Sequence, residues 1–260
     1  MKYGFCNIGI IPMRREPSEC SEMVTQLLFG DVFEVLEEEG SWIRIRNQDD
    51  EYEGWIDSKQ AIEISHGDFY FYNIRSKNYI REAIAYVFQS KEGSDDKSIF
   101  PIYFGSQVIG AEFVLGGIRF EISPSSITSN VVANKVRLSA IAIKYLFAPY
   151  LWGGKSMFGL DCSGFSQICF KQIGINLPRD ASQQVEIGEE IENINDAISG
   201  DLMFFEDSNQ KITHVGIYLG NCEIIHSSGY VRIDRVDSKG IYIDDKSEHT
   251  HNLAKIKRIF

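Results

Sequence analysis

The chain has 260 residues, of which 43% are hydrophobic, 24% charged and 12% aromatic, a globular composition with room for two or three compact units. Its 37 acidic residues against 26 basic ones leave a formal net charge of −11, which excludes the usual binders of nucleic-acid phosphates and anionic membrane surfaces. No run is long and apolar enough for a transmembrane helix. The N-terminal stretch, interrupted by Asn7, Gly9 and Pro12, lacks the apolar segment and small-residue cleavage site of a secretory signal. The expectation is a cytoplasmic protein, or a periplasmic or secreted one if a leader precedes this sequence. The five cysteines are odd in number and irregularly spaced, so no disulfide framework is expected. With no CxxC pair and no close Cys/His grouping, no metal and no organic cofactor are expected either.

Residues 1–65 are predicted to be all-β. Short runs at 33–36, 42–46 and Gly54-Trp55-Ile56 are rich in apolar, β-branched or aromatic residues, and Gly30-Asp31 and Glu39-Gly40-Ser41 are turn signals between them. Strands at this spacing suggest a small barrel. Residues 66–124 are predicted as a second small β-rich domain, with His66 in a loop, 79–89 readable as strand or helix, and a charged loop at 90–98. The Ser- and Asn-rich stretch 123–134 suits a linker. Leu138, Ile141, Ala142, Tyr145 and Leu146 then mark one face of a helix that Pro149 ends. A second helix is expected over 163–173, with Phe165, Ile168, Cys169 and Gln172 on one face and Gly174 at its stop. Strand-like runs at 202–205, 214–219 and 223–226 follow, so residues 125–260 are predicted as an α+β domain, helices first and antiparallel sheet second.

Cys162 stands at the start of the second of these helices, where unpaired N–H groups and the helix dipole favour a thiolate and a pKa below about 7.5. The small Ser163 and Gly164 beside it are expected to leave room for a substrate carbonyl, and the Cys162 N–H to help hold an oxyanion. Cys169 lies on the buried face of the same helix. Among five histidines, His214 and His226 fall in neighbouring strand-like segments, which suits a base and a group that orients it. A two-residue turn at Gly220-Asn221 would set His214 opposite Ser227 and turn His226 to the other face. Two histidines on one face therefore require an odd-length loop near Gly220 or a bulge, with Val215, Ile217 and Leu219 facing away. His249 and His251 fall in a charged C-terminal stretch.

These residues belong to an ordered set of motifs: Pro149-Tyr150-Leu151-Trp152-Gly153-Gly154, Leu160-Asp161-Cys162-Ser163-Gly164-Phe165, Leu177-Pro178-Arg179, Gly200-Asp201-Leu202, Thr213-His214-Val215-Gly216 and Ile225-His226-Ser227. The set resembles the NlpC/P60 family of cell-wall cysteine peptidases, apart from Ser199 where a proline often precedes Gly-Asp. The resemblance implies a papain-like fold, a catalytic triad of Cys162, His214 and His226, and Tyr150 near the oxyanion. Pro12-Met13-Arg14, residues 21–26 and Tyr52-Glu53-Gly54-Trp55 resemble the bacterial SH3 (SH3b) domain of a subgroup, the γ-D-glutamyl-L-diamino acid endopeptidases (dipeptidyl-peptidase VI). That likeness implies that Glu22, Tyr52 and Asp161 bind the ammonium of a free N-terminal L-Ala. A bare ammonium in a closed cleft needs carboxylates to offset its desolvation, and the D-Glu carboxylate needs donors, for which Arg179 and Ser163 are candidates. Arg179 reads equally well as a structural ion-pair partner.

The sequence is therefore read as multidomain: two SH3b-like barrels at 1–65 and 66–124, then an NlpC/P60 catalytic domain at 125–260. The expected reaction cuts the γ-D-glutamyl–diamino acid bond of peptidoglycan stem peptides through an acyl-enzyme. Neither nucleic acid nor membrane is expected as a partner. The alternatives are an amidase or acyltransferase on the same fold, or a wall-binding module with an inactive peptidase domain.

Overall fold

The computed structural model describes residues 2–94, 96–128, 131–243 and 247–260. It divides into two compact units, Met1–Val131 and Val132–Phe260. Among the described residues, no helix is long and apolar enough to cross a membrane.

In the first unit, β1 (Lys2–Phe5), β2 (Ile10–Arg14), β3 (Met23–Leu28), β4 (Val32–Glu39), β5 (Trp42–Asn47), β6 (Glu53–Asp57) and β7 (Ile62–Ile64) form one antiparallel sheet in the order β3-β2-β6-β5-β4-β1-β7. Cys6, Ile11, Met13, Leu27, Phe33, Ile45 and Ile56 fill its core. Helix α1 (His66–Ile74) follows. His66 thus opens a helix instead of standing in a loop, because Ser65 and Asp68 form a capping box: each side chain accepts from the other's backbone N–H. The stretch read as strand or helix resolves into β8 (Asn78–Ile80) and β9 (Ile84–Lys91). With β10 (Ser98–Tyr103), β11 (Gln107–Val108), β12 (Glu112–Leu115), β13 (Ile118–Ile122) and β14 (Ile127–Thr128) they make a four-stranded sheet, β10-β9-β13-β12, and a three-stranded one, β11-β8-β14.

The two halves expected as separate domains share one aromatic core. The ring centroid of Phe5 in β1 lies 5.4 Å from that of Phe29, 5.5 Å from those of Tyr72 and Phe120, and 6.4 Å from that of Phe113. Tyr3, Val32 and Ile64 join the same cluster from the first half, and Val87, Ile102 and Leu115 from the second. Gln107 adds a buried polar tie, donating from Nε2 to Gly30 O at 2.9 Å and to Asp31 Oδ1 at 3.2 Å. Contacts of this kind make residues 1–131 one unit where the sequence suggested two.

The second unit begins with α2 (Lys135–Ile143), whose Leu138, Ile141 and Ala142 are buried. A short hairpin of β15 (Lys155–Ser156) and β16 (Gly159–Leu160) leads into α3 (Cys162–Lys171), every residue of which is buried. Gly174, at φ +84°, turns the chain after it. Helix α4 (Ala181–Gln184) and β17 (Glu189–Glu190) precede β18 (Leu202–Glu206), β19 (Ile212–Gly220), β20 (Glu223–Ser228), β21 (Tyr230–Asp237), β22 (Gly240–Ile243) and β23 (Glu248–Arg258). These last six pair in sequence, and β23 pairs with both β22 and β18, which closes the ring. Met203, Phe205, Tyr218, Ile224, Val236, Ile241 and Ile256 form one core cluster there. Helix α3 packs against β19 and β20.

Because Phe5 anchors the shared aromatic core, Phe5→Ala is expected to cost about 3–5 kcal/mol and to loosen both halves of the first unit together. Native-state amide exchange checks this: protection should fall in β9 and β13 as well as in β1 and β4. Loss confined to β1–β7 would show two independent domains.

Candidate active site

The start of α3 is built around Asp161. It is the N-cap of α3, and its Oδ1 accepts from Gly164 N at 2.7 Å, Ser163 Oγ at 3.3 Å and Arg179 Nη1 at 3.0 Å. Its Oδ2 accepts from Gly153 N at 2.9 Å and Arg179 Nη2 at 2.6 Å. Arg179 is 1% exposed and also donates to Ser163 Oγ at 2.9 Å. A carboxylate has about four lone-pair sites, so a substrate ammonium reaching Asp161 must displace one of these donors. Of the two readings of Arg179, the geometry shows the buried ion pair. Arg179 and Ser163 spend these hydrogen bonds on Asp161 and on each other, not on an open cleft.

Gly164 also differs from expectation. A Cβ on it would lie 2.3 Å from Gly154 O, and one on Gly154 would lie 2.3 Å from Gly159 O. The missing side chains make room for backbone, not for a substrate carbonyl. They let the Gly153-Gly154 turn sit directly on the first turn of α3.

The Cys162 sulfur faces the stretch of β19 that β20 leaves unpaired, since the β19–β20 ladder begins at Gly216↔His226. Its Sγ lies 3.9 Å from Thr213 O, and the N–H groups of Val215 and Ser163 point at it. Thr213 and Val215 flank His214 in the chain. Burial, then the Asp161 carboxylate, push the thiol pKa up to about 11, against the pull of those N–H groups and Arg179. The expected thiolate is therefore absent at rest. Desolvation at this buried helix start outweighs the N–H groups that point at the sulfur. Burial also holds His214 well below an ordinary imidazole pKa, helped by the neighbouring His226 and His251, so this imidazole is neutral.

His214 and His226 share one face of the sheet. The loop joining β19 to β20 is Asn221-Cys222, both at positive φ (54° and 61°), and the pairing slips between Tyr218 and Gly220. That bulge puts Gly216 opposite His226, so His214 points the same way as His226. Val215 and Ile217, on the other face, are fully buried, while Leu219 is half-buried. His214 Nε2 lies 2.8 Å from His226 Nδ1, with the rings nearly perpendicular at 83°. Tyr150 is 36% exposed, and its backbone N–H is held by Gly229 O at 2.9 Å. Burial, with the nearby Cys162 and Asp161, pushes its phenol up to about 12, so it stays a neutral donor.

Glu22 and Tyr52 belong to the first unit. Glu22 is exposed and pairs with Arg15 Nε at 2.8 Å. Tyr52 packs half-buried against the core of β1–β7.

Two site residues escaped the sequence reading. His251, on β23, lies with its ring centroid 4.5 Å from that of His214 at an interplanar angle of 33°. Asp234, on β21, sits 2.9 Å from His226 Nε2. The alternation of His249, His251 and Leu253 is a strand signal for the first. Asp234 becomes a neighbour of His226 only through the β20–β21 register. His249 is held elsewhere, by Asp237 at 3.0 Å.

Residues 148–250 match the family model described as the NlpC/P60 family, and residues 13–60 that of the bacterial dipeptidyl-peptidase Sh3 domain. An SH3 domain therefore precedes an NlpC/P60 domain. Over 233 residues the chain is 31% identical to a gamma-D-glutamyl-L-lysine dipeptidyl-peptidase of Bacillus subtilis, covering 80% of this chain and 74% of that one. A protein of the same name from Bacillus cereus is 25% identical over 239 residues, covering 81% and 68%. The crystal structure of an NlpC/P60 family protein from Bacillus cereus superposes with a TM-score of 0.83 over 99% of both chains at 18% identity, a likeness of fold.

Two outcomes follow from this site. The acid limb of kcat/KM should lie below pH 6.5, since only neutral His214 accepts a proton and burial lowers its pKa. Alkylation of Cys162 by iodoacetamide should keep rising beyond pH 9, because thiolate accumulates only toward the raised pKa; a plateau near neutrality would show a resting ion pair. Separately, a Cβ on Gly216 would lie 2.9 Å from His226 Cβ and 2.7 Å from Ile224 Cδ1. Gly216→Ala should displace His226 and lower kcat by roughly 10²-fold with an unchanged near-ultraviolet circular dichroism spectrum.

Proposed function

The chain belongs to the NlpC/P60 family, and from that membership we propose that this peptidase hydrolyses the γ-D-glutamyl–diamino acid bond of cell-wall stem peptides carrying a free N-terminal L-Ala. The observation that carries the reading is the meeting of Cys162, at the start of α3, with the strand that bears His214 and its partner His226. In this reading His214 takes the Cys162 proton as the sulfur attacks the amide carbonyl. The tetrahedral oxyanion is held by the neutral Tyr150 phenol and the Cys162 N–H. The protonated His214 returns its proton to the leaving amine, and water then releases the acyl group by the same base.

The substrate class is supported by relatives, named for γ-D-glutamyl-L-lysine bonds, that match most of this chain. Glu22 and Tyr52 are the proposed ammonium readers, with Asp161 contributing only by giving up one of its present donors. The reading of residues 66–124 as a second SH3b-like barrel belongs to the same proposal; its β-strands and short turns support it. No observation on the site favours an amidase or an inactive module over hydrolysis.

The test is incubation of the full chain with L-Ala-γ-D-Glu-Lys and its diaminopimelate counterpart, free and N-acetylated, with products identified by mass. Cleavage on the carboxyl side of D-Glu is expected for the free peptides. Cys162→Ala should lower kcat at least ~10³-fold; retention of a tenth of the activity removes Cys162 from the mechanism. Acetylation, or Glu22→Gln, should lower kcat/KM by roughly 10²-fold or more, since either removes one charge of the proposed ammonium–carboxylate pair. Equal cleavage of free and acetylated peptides would show that the amine is not read.

A further inference from the structure

The hydrogen-bond chain does not end at His226. His226 Nε2 lies 2.9 Å from Asp234 Oδ2, and Asp234 Oδ1 accepts from Arg232 Nη2 at 2.7 Å. His226 is fully buried and Asp234 is 9% exposed. Both acid and guanidinium stand on β21, where Arg232 pairs across from His226 and Asp234 from Ile224. The hydrogen bonds from His226 and Arg232 outweigh burial and keep Asp234 ionised.

We infer that Asp234 is a positioning residue that sets the tautomers of both histidines and thereby makes His214 Nδ1 the proton acceptor, an inference that rests on the Cys162–His214 reading above. An ionised carboxylate only accepts hydrogen bonds, so His226 Nε2 carries the proton that faces Asp234 Oδ2. A neutral imidazole has one N–H, so His226 Nδ1 is bare and accepts. Its neighbour at 2.8 Å, His214 Nε2, must then carry a proton. That leaves the lone pair of His214 on Nδ1, free to take the thiol proton. The reverse order would place a proton on Nδ1 and leave the base nothing with which to accept.

Arg232 makes the argument directional. In an Asp234→Asn variant the amide oxygen is drawn to Arg232, which only donates, and the amide NH2 is left facing His226 Nε2. Each N–H along the chain then moves to the other ring nitrogen, ending with a proton on His214 Nδ1.

The experiment is nitrogen-15 NMR of histidine-labelled full-length protein at neutral pH, together with kinetics. In the wild type, His214 and His226 should both be Nε2–H tautomers. In Asp234→Asn both should turn to Nδ1–H, and kcat should fall about 10²-fold with KM within about twofold, whereas general loosening of the fold would move KM as well. Wild-type His226 found as the Nδ1–H tautomer overturns the inference even if the variant does not fold. So do unchanged tautomers and kcat in Asp234→Asn. Activity surviving Cys162→Ala would sink the peptidase reading while leaving the tautomer result to stand or fall by itself.

Discussion

The second unit depends on one buried ion pair. Asp161 caps α3, receives the Gly153 turn and is gripped at both oxygens by Arg179, which is itself sealed from solvent. It ties the loop that carries Tyr150 to the helix that carries Cys162, beside backbone bonds from Leu160 N to Pro149 O at 3.0 Å and from Asp161 N to Gly154 O at 3.3 Å. A buried pair of this sort adds little net stability, because desolvation consumes most of the attraction, yet breaking it strands a charge and costs about 3–5 kcal/mol. Its value lies in specifying one arrangement. Ser227 Oγ, donating to Leu160 O at 2.7 Å, ties the residue after His226 to the segment just before Cys162. Helix start and histidine hairpin are thereby held together from both sides.

The same pair explains why the cysteine is not a resting thiolate. A helix start is an electropositive place, and the Ser163 N–H there does pull the thiol pKa down. The capping residue, however, is an anion beside the sulfur, and the surrounding glycines let backbone close over the site until Cys162 is only 7% exposed. Desolvation then prevails. The dipole is legible in a sequence, whereas the degree of closure is not, since it arises from Gly154 meeting Gly159 and Gly164 across the turn.

Legibility followed the range of the interaction. The helix start at Cys162, the helix face of Phe165, Ile168 and Cys169, and the three strands around the histidines rest on neighbours in the chain and are legible directly. The hairpin could be read only as a constraint: two histidines on one face demand a bulge or an odd loop. The bulge between Tyr218 and Gly220 meets it, with Cys222 in an uncommon left-handed conformation that nothing local announces. Long-range packing was opaque. Phe5 and Phe113 are 108 positions apart, and their meeting in one core, with the Gln107 tie, joins residues 1–65 to those after them. His251 and Asp234 are hidden in the sequence for the same reason, because each reaches the histidines through strand pairing around a closed ring.

That ring resolves a difficulty of charge. In the proposed reaction, proton transfer from Cys162 to His214 creates a thiolate and an imidazolium in surroundings that penalise both. At rest the two carboxylates nearby already have cationic partners: Asp161 with Arg179, and Asp234 with Arg232. The site is therefore close to neutral before the reaction, and burying it is tolerable. When the imidazolium forms, the Asp234 carboxylate is already oriented toward it through the His226 ring, and His251 lies against the His214 ring to restrain it. Oriented groups that need no rearrangement stabilise developing charge more effectively in a dry site than mobile water does. Burial thus disfavours the ion pair in the resting enzyme and strengthens the fixed interactions available to it during transfer, so the high thiol pKa and the preformed histidine chain are two consequences of one enclosure.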